Sequence, residues 1–402
     1  MRAVVFYGIG DIRLEDVPEP QIESPKDAII RLTTSAICGT DLHFVRGTVG
    51  GLSKGQTLGH EGVGIIESVG SGVARFKPGQ RVIIPSTVGC GECQFCSKGF
   101  FAQCDVANPN GKLAGTVYYG ATAENGGLKG LQAEKARVPF ADANLVAVPD
   151  QITNDQAILM SDILPTGWFG ADLAEIEQDD HVVIFGCGPV GQMAIASATL
   201  MGGRVIAVDR LPDRLEMARR QGAETINFDE KDVVEAVLAL TNGDGAARVI
   251  DVVGVDAQHP QHGPKAPGLL DKVKLAVEQK TIEPGARTHG RHFVAGDNPV
   301  QVHDWAVDCV AKVGTVAIIG VYPPNDRTFP IGKAMNKNLT LRMGNANHRR
   351  YYDVLIEHVL AGRLDPAKIL TNVEPLTNAV DAYKAFDERQ PGWMKVELQP
   401  RA

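Results

Sequence analysis

The sequence predicts a two-part α/β chain, a small all-β, barrel-like domain followed by a doubly wound parallel sheet. Three observations predict it. The chain has 402 residues, more than one ordinary domain. Residues 1 to about 150 hold short β-type segments broken by glycine and proline, such as "DAIIRLTTSAI", "GVGIIESVG" and "QRVIIPS". After "NLVAVPD" strand and helix patterns alternate, as a parallel sheet covered on both faces requires.

Composition narrows the function classes. Hydrophobic residues make up 44% and charged residues 22%, as in an ordinary globular chain, and 44 glycines suit many turns and close backbone approaches. The net charge is −8 and no long basic run occurs, which argues against a nucleic-acid partner. No stretch approaches the roughly 20 apolar residues of a membrane helix. The N-terminal "MRAVVFYGIGDIRLEDVPEP" reads as strand, turn, strand rather than as a signal peptide. A cytoplasmic chain is therefore expected, and in a reducing compartment clustered cysteines favour metal binding or catalysis over disulfides.

In chain order, "TNDQAILMSDILPTGWFGADL" has helical periodicity and opens at Thr153 or Asn154 as the N-cap. "HVVIFG" reads as a strand, "PVGQMAIASATLMG" as a helix, "RVIAVD" as a strand and "LPDRLEMARRQG" as a helix. "ARVIDVVG" and "GTVAIIGV" are further strands. From about Thr340 the chain reads as helices plus a final strand in "GWMKVELQP" that returns to the first domain. The expected division is 1–164 together with about 341–402 for the barrel-like domain, and 165–340 for the sheet domain.

Four of the seven cysteines lie in "GCGECQFCSKGFFAQC". Cys90, Cys93, Cys96 and Cys104 follow C-x2-C-x2-C-x7-C, so short steps turn neighbouring sulfurs onto one centre and the longer span closes a tetrahedron. Four thiolates make a closed structural zinc site with no open position. An iron–sulfur cluster takes the same donors, whereas a thioredoxin-like pair needs its C-x-x-C at the head of a helix. Zinc is the expected occupant, in a lobe that folds when metalated.

"CGTDLH" places Cys38 five residues before His43, and "GHEGVGIIESVGSGV" carries His60 and Glu61. Each alone is a weak signal. The second stretch matches G-H-E-x2-G-x5-G-x2-V from Gly59 to Val73, and the four-cysteine lobe, "PTG" and "GCGPVG" follow in order. Together they resemble the zinc-dependent medium-chain alcohol dehydrogenase family over nearly the whole chain. That resemblance implies a GroES-like barrel domain and a Rossmann cofactor domain.

It also implies roles. Cys38 and His60 correspond to catalytic-zinc ligands. The family's third ligand is usually a Cys or Glu before the Thr-Gly turn, and here Asp162 stands four residues before Thr166. This aspartate, with "VPFADANLVAVPD" and a long late insertion, is similar to the glutathione-independent formaldehyde dehydrogenase branch. Without that alignment Asp162 reads as a helix-surface carboxylate. Glu61 corresponds to a group that approaches the zinc from outside its ligand shell. Thr40 and His43 resemble the proton relay, with His43 reaching solvent; the pKa of a histidine suits that role. Thr166 and Val190 correspond to residues that hold and pack the nicotinamide.

"HVVIFGCGPVGQMAIA" is G-x-G-x-x-G between a strand and a helix, the context in which the motif binds a dinucleotide. Gly186 makes the turn, Gly188 admits the pyrophosphate, Gly191 packs helix on strand, and the helix N-terminus favours the phosphate charge. Asp209 ends the next strand at the distance expected of a ribose-binding carboxylate, which favours NAD over NADP; Arg210 beside it argues the other way. Arg214 either covers the adenine or is a solvated helix arginine. Cys187 reads as a packing residue, and Cys309 has no partner in the sequence.

Nearly sixty residues separate "VVGVDA" from "GTVAIIG", more than a crossover requires. This insertion, about 255–302, follows a strand end that faces the dinucleotide. It is expected either to cover the adenosine end of NAD or to form a subunit contact.

The expected function is zinc-dependent, NAD-linked oxidation of a small alcohol or aldehyde hydrate, or the reverse reduction, with two zinc ions per chain. The expected assembly is a homo-oligomer, tetramer or dimer. A polyol or amino-alcohol dehydrogenase of the same fold is the alternative within the enzyme class. A non-catalytic NAD-binding or structural protein is the alternative outside it.

Overall fold

The computed structural model describes residues 1–324 and 326–400. The chain forms two compact units: Met1–Val45, Gly50–Pro165 and Asn345–Ala402 in the first, Arg46–Val49 and Thr166–Gly344 in the second.

The first unit is built on antiparallel pairing. Among the described residues a three-stranded sheet joins Arg2–Gly8, Asp11–Asp16 and Gln56–Thr57. A seven-stranded sheet centres on Ala28–Ile37, which pairs with Gly62–Val69, Lys135–Val138 and the late strand Val396–Gln399. Alternation in these strands turns Ile30, Leu32, Ile66, Val82, Ile84 and Val138 into one core with Tyr119 and Leu145. The final strand, in "GWMKVELQP", is thus hydrogen-bonded to a strand laid down more than 350 residues earlier.

The helical stretch after residue 153 is two helices, Asn154–Met160 and Ile163–Ala174. Thr153 caps the first through a capping box with Gln156. Ser161 and Asp162 form the break between them, which removes Asp162 from the helix surface and leaves it 7% exposed. Thr166 lies inside the second helix rather than in a turn. Pro165 stands in that helix's first turn, where its missing N–H costs no intrahelical bond.

The second unit carries, among the described residues, a six-stranded parallel sheet. Its order is Glu224–Asn227, Arg204–Asp209, His181–Phe185, Ala246–Asp251, Val310–Ile318, Thr340–Met343. Numbered along the chain this is the order 3-2-1-4-5-6, whose reversal beside His181–Phe185 opens a crevice at the strand C-termini. Both sheet faces are covered, so Val182, Val183, Ile184 and Phe185 are all buried. Helices Pro189–Leu200 and Pro212–Arg220 each start with proline at the first helical position, where its fixed φ suits the turn.

The insertion belongs to this unit and holds the helix Leu269–Ile282. Gln279 and Ile282 face inward, while Leu269, Leu270, Val273 and Val277 are exposed. Asp256 pairs with Arg46 at 2.9 Å, and the Arg287 N–H donates to the Arg46 carbonyl at 2.7 Å. Glu283 beside them is 3% exposed, and neither carboxylate oxygen has a hydrogen-bond partner. Burial, and then the charge of Asp256, push its pKa up to about 9.

Candidate functional site

The four-cysteine loop folds as two short 3-10 turns, Cys96–Lys98 and Phe101–Gln103, that bring the sulfurs of Cys90, Cys93, Cys96 and Cys104 within 4.8 Å of one another. Cys93 and Cys104 sulfurs stand 3.8 Å apart, so they are not bonded to each other. Sulfurs about 2.3 Å from one zinc at tetrahedral angles lie about 3.8 Å apart. Backbone N–H groups point at the sulfurs: Cys90 and Ala107 to Cys104 at 3.2 and 3.3 Å, Cys93 to Cys90 at 3.3 Å. Such donors stabilise thiolate charge. At Cys93 burial opposes ionisation, but backbone N–H groups outweigh it and lower the pKa to about 6.

A second cluster joins Cys38, at the end of its strand, His60 and Glu61, just before theirs, and Asp162, in the helix break. Their donor atoms also lie within 4.8 Å of one another, and all four residues are buried. One Asp162 oxygen, Oδ2, stands 3.5 Å from both Cys38 Sγ and His60 Nε2. Burial raises the Cys38 pKa, with His60 pulling against it. Burial also pulls His60 down, but Asp41 and Cys38 outweigh it and hold the ring well above its usual pKa. Asp162 is held well below the usual range despite burial, through hydrogen bonds to His348 and His60. A buried thiol, imidazole and carboxylate converging on one point is a donor set that a divalent cation would satisfy.

Residues outside the sequence-level reading complete this cluster. Asp41 Oδ1 stands 3.3 Å from His60 Nδ1, and its Oδ2 accepts from the Cys38 N–H at 3.0 Å and from Gln132 at 3.1 Å. Tyr383 in turn donates to Gln132 at 2.7 Å. Glu61 is paired with Lys395, both fully buried, at 2.5 and 2.7 Å, and the same ammonium donates to the Ile37 carbonyl at 2.9 Å. Burial pushes Glu61 up to about 7 against the pull of Lys395; Lys395 is raised, burial being outweighed by Glu61. The pairing offsets the Glu61 charge, which leaves the negative charge of the donor trio to Cys38 and Asp162. Asp41 was within reach of sequence reading, inside "CGTDLH". Lys395, 334 residues from Glu61, carries no local signal.

Thr40 and His43 sit three apart on the helix Gly39–Arg46, hence on one face. His43 does not reach solvent: it is 6% exposed, because the helix is buried from Asp41 onward.

In the second unit the glycine loop follows the strand His181–Phe185. Gly186 has φ +91°, and a Cβ at Gly191 would come within 1.9 Å of the Gly186 carbonyl oxygen, so both positions require glycine. A Cβ at Gly188 would meet only the Arg214 guanidinium, at 3.5 Å, which leaves the loop mouth open beside a cation. The Arg214 guanidinium therefore lies beside Gly188. Val190 is half-buried in the first turn of the following helix. Asp209 accepts from the Cys187 N–H at 2.8 Å through one oxygen, and from Arg210 and Leu211 at 2.7 and 3.0 Å through the other. Arg210 turns away to Asp229 at 3.3 Å and Gln258 at 3.4 Å.

Family models match this chain as an alcohol dehydrogenase GroES-like domain over residues 24–150 and a zinc-binding dehydrogenase over residues 189–261. An uncharacterised zinc-type alcohol dehydrogenase-like protein of Bacillus subtilis is 35% identical over 100% of both chains. The chain belongs to the zinc-type alcohol dehydrogenase family. It is an oxidoreductase with a GroES-like part and a Rossmann sheet, and its two donor clusters fit two zinc sites. A glutathione-independent formaldehyde dehydrogenase of Pseudomonas aeruginosa is 31% identical over 97% of this chain and 96% of that one. The solved alcohol dehydrogenase of a Thermus species superposes with a TM-score of 0.80 at 31% identity, over 100% of each chain. No helix among the described residues is long and apolar enough to cross a membrane.

Proposed function

We propose that this zinc-type alcohol dehydrogenase oxidises a small alcohol or aldehyde hydrate with NAD, in the manner of a formaldehyde dehydrogenase, or reduces the corresponding carbonyl. The observation that carries the reading is the third donor: a carboxylate, Asp162, turned to the same point as Cys38 and His60. The Pseudomonas aeruginosa relative, with its named formaldehyde dehydrogenase activity, supports the substrate class.

Cys38, His60 and Asp162 would hold the catalytic zinc, and the four cysteines the structural one. Thiolate, neutral imidazole and carboxylate balance the metal's double charge, and three protein donors leave one of zinc's usual four positions for substrate. Bound zinc supplies Lewis acidity toward the substrate oxygen, and bound NAD supplies the hydride acceptor.

The chain's own residues orient and deprotonate. Asp41 faces His60 Nδ1 and so leaves Nε2 directed at the donor point. The Thr40 hydroxyl would hydrogen-bond the reacting hydroxyl and take its proton while passing its own on toward His43. Because His43 is buried, it hands the proton to a further group rather than directly to bulk water. Thr166 and Val190 fix the nicotinamide ring. Gly186, Gly188 and Gly191 shape the pyrophosphate cradle, which Arg214 neutralises. A carboxylate offers about four acceptor sites, so Asp209 keeps capacity for a ribose hydroxyl and opposes a 2′-phosphate, and the engagement of Arg210 by Asp229 supports NAD. The exposed apolar stripe in the insertion supports a homo-oligomer.

Turnover of formaldehyde, small primary alcohols and polyols with NAD and NADP, followed by the absorbance of the reduced nicotinamide, tests the reading. It predicts activity on the one-carbon and small substrates with NAD. Turnover confined to polyols, or preference for NADP, overturns it. Asp209→Gly is expected to weaken NAD binding about tenfold, the value of one or two lost hydrogen bonds, and to improve relative use of NADP.

A further inference from the structure

The Asp162 carboxylate has two differently occupied oxygens. Oδ2 faces Cys38 Sγ and His60 Nε2, at 3.5 Å from each. Oδ1 faces the other way, into a polar pair from two distant parts of the chain. Ser86 Oγ donates to it at 2.9 Å, and His348 Nε2 stands 3.0 Å away. His348 is 2% exposed and its other ring nitrogen lies 3.0 Å from Thr87 Oγ1. A hydrogen on Nε2 lets the ring donate to Oδ1, while Thr87 Oγ1 stands against Nδ1.

His348 is itself anchored. It begins the 3-10 turn His348–Arg350, and the preceding Asn347 side-chain oxygen accepts from the Ala102 N–H at 3.0 Å. The backbone that follows is tied back through Tyr352, whose hydroxyl donates to the Met160 carbonyl at 3.0 Å, two residues before Asp162. The imidazole is therefore clamped from both sides, and through it the carboxylate plane of Asp162.

We propose that His348, with Ser86, is a positioning residue that makes Asp162 a single-oxygen metal ligand. Aspartate has a short, rotatable side chain that can offer one oxygen or both. By occupying Oδ1, His348 and Ser86 leave only Oδ2 for the metal and hold it on the side of Cys38 and His60. Free of that hold, the carboxylate rotates, swings Oδ1 inward and exchanges more readily with water. Outer-shell partners of metal ligands typically carry about 10–100-fold of metal affinity. Neither group is one of the clustered donors. The inference rests on the reading of Asp162 as a zinc ligand, and the experiment separates the two.

The experiment follows zinc release from the purified full-length protein to a chromogenic chelator, at fixed pH, for wild type, His348→Ala, His348→Gln, Ser86→Ala and Asp162→Ala. Near-ultraviolet circular dichroism checks folding. Wild type is expected to release its two zinc ions in two phases. His348→Ala speeds one phase about 10–100-fold and leaves the other, from the four-cysteine lobe, unchanged. Glutamine places an N–H where Nε2 stood, so His348→Gln returns that phase to within a few-fold of wild type. Ser86→Ala, a smaller change that tests the same oxygen if His348→Ala does not fold, speeds it about three- to tenfold.

Release from His348→Ala and Ser86→Ala at the wild-type rate overturns the positioning role, provided Asp162→Ala has lost that zinc. A His348→Gln protein as leaky as His348→Ala overturns it too, because the ring would then be acting as a ligand or by its bulk. If Asp162→Ala keeps both ions at wild-type rates, the ligand assignment itself fails.

Discussion

The four-cysteine lobe, half-buried at Cys93 and Cys104, and the buried Cys38–His60–Asp162 cluster are donor sets in the same unit, but they are assembled across very different lengths of chain. Cys90 and Cys104 are 14 residues apart, whereas Cys38 and Asp162 are 124 apart. Closing a loop about nine times longer costs roughly 2 kcal/mol more entropy. A cation can offset the short loop by itself, so the lobe is able to form around its metal. The wide cluster depends on a folded scaffold, which explains its surroundings. The lobe's sulfurs are served by backbone N–H groups of their own loop. The second cluster is served by side chains from everywhere in the unit, namely Asp41, Ser86, Gln132, His348, Tyr383 and Lys395. One site is made by its motif and the other by the fold.

That contrast can be broken most forcefully at the lobe. Cys93→Ser is expected to lose one zinc per chain and the ordered structure of residues 90–107. Metal binding of this kind is worth about 10–16 kcal/mol in isolated zinc-folded peptides. Limited proteolysis and metal analysis report the loss, and a wild-type cleavage pattern would show that the loop folds without its metal. Asp162→Ala is the counterpart. It should also lose one zinc and cut turnover roughly a thousandfold, since several kcal/mol of charge stabilisation disappear. Its melting temperature should stay within a few degrees of wild type, because the scaffold precedes the site. A large fall in melting temperature would mean that the second metal builds its surroundings too.

Lys395→Met sharpens the comparison from the scaffold side. It leaves a buried carboxylate, Glu61, uncompensated, which typically costs about 3–5 kcal/mol. The double variant with Glu61→Gln should recover most of that stability in denaturant titration. No recovery would mean that Lys395 acts through the Ile37 carbonyl rather than through Glu61.

The smallest effect is expected away from both metals, at Glu283. Its folded pKa of about 9 lies above the unfolded value, so the folded state retains a proton that the unfolded state gives up. Stability is therefore fully present below the ordinary carboxylate pKa and is lost as pH rises toward 9. Glu283→Gln should remove that slope and stabilise the protein by about 1 kcal/mol or more near pH 8. Thermal melts across pH 5 to about 9 measure it, and parallel slopes for the two proteins would contradict it.

Much of the fold was legible because its signals are local. Alternation marked the barrel strands, the strand–helix rhythm marked the parallel sheet, and Thr153 or Asn154 announced a helix start, which the capping box places at Thr153. The same local reasoning carries "TNDQAILMSDILPTGWFGADL" through as one helical stretch, while the family resemblance places a turn at Thr166. The chain instead breaks at Ser161 and Asp162 and is helical at Thr166. A two-residue interruption barely disturbs the hydrophobic period, yet it decides whether Asp162 faces water or the buried donors.

The sequence alone determined the class of chain, the cysteine spacing of the lobe and the glycine loop, since each is written within a few turns of backbone. It also supplied the donor candidates Cys38, His60 and Asp162, all three through likeness to a family. Only the tertiary structure decided that these three share one point, that His43 is buried, and that Arg210 is drawn off by Asp229. It alone brought Lys395 to Glu61 and His348 to Asp162, 334 and 186 residues away. The reason is physical. A buried charge must find a partner within a few ångströms, but nothing requires that partner to be near in the chain.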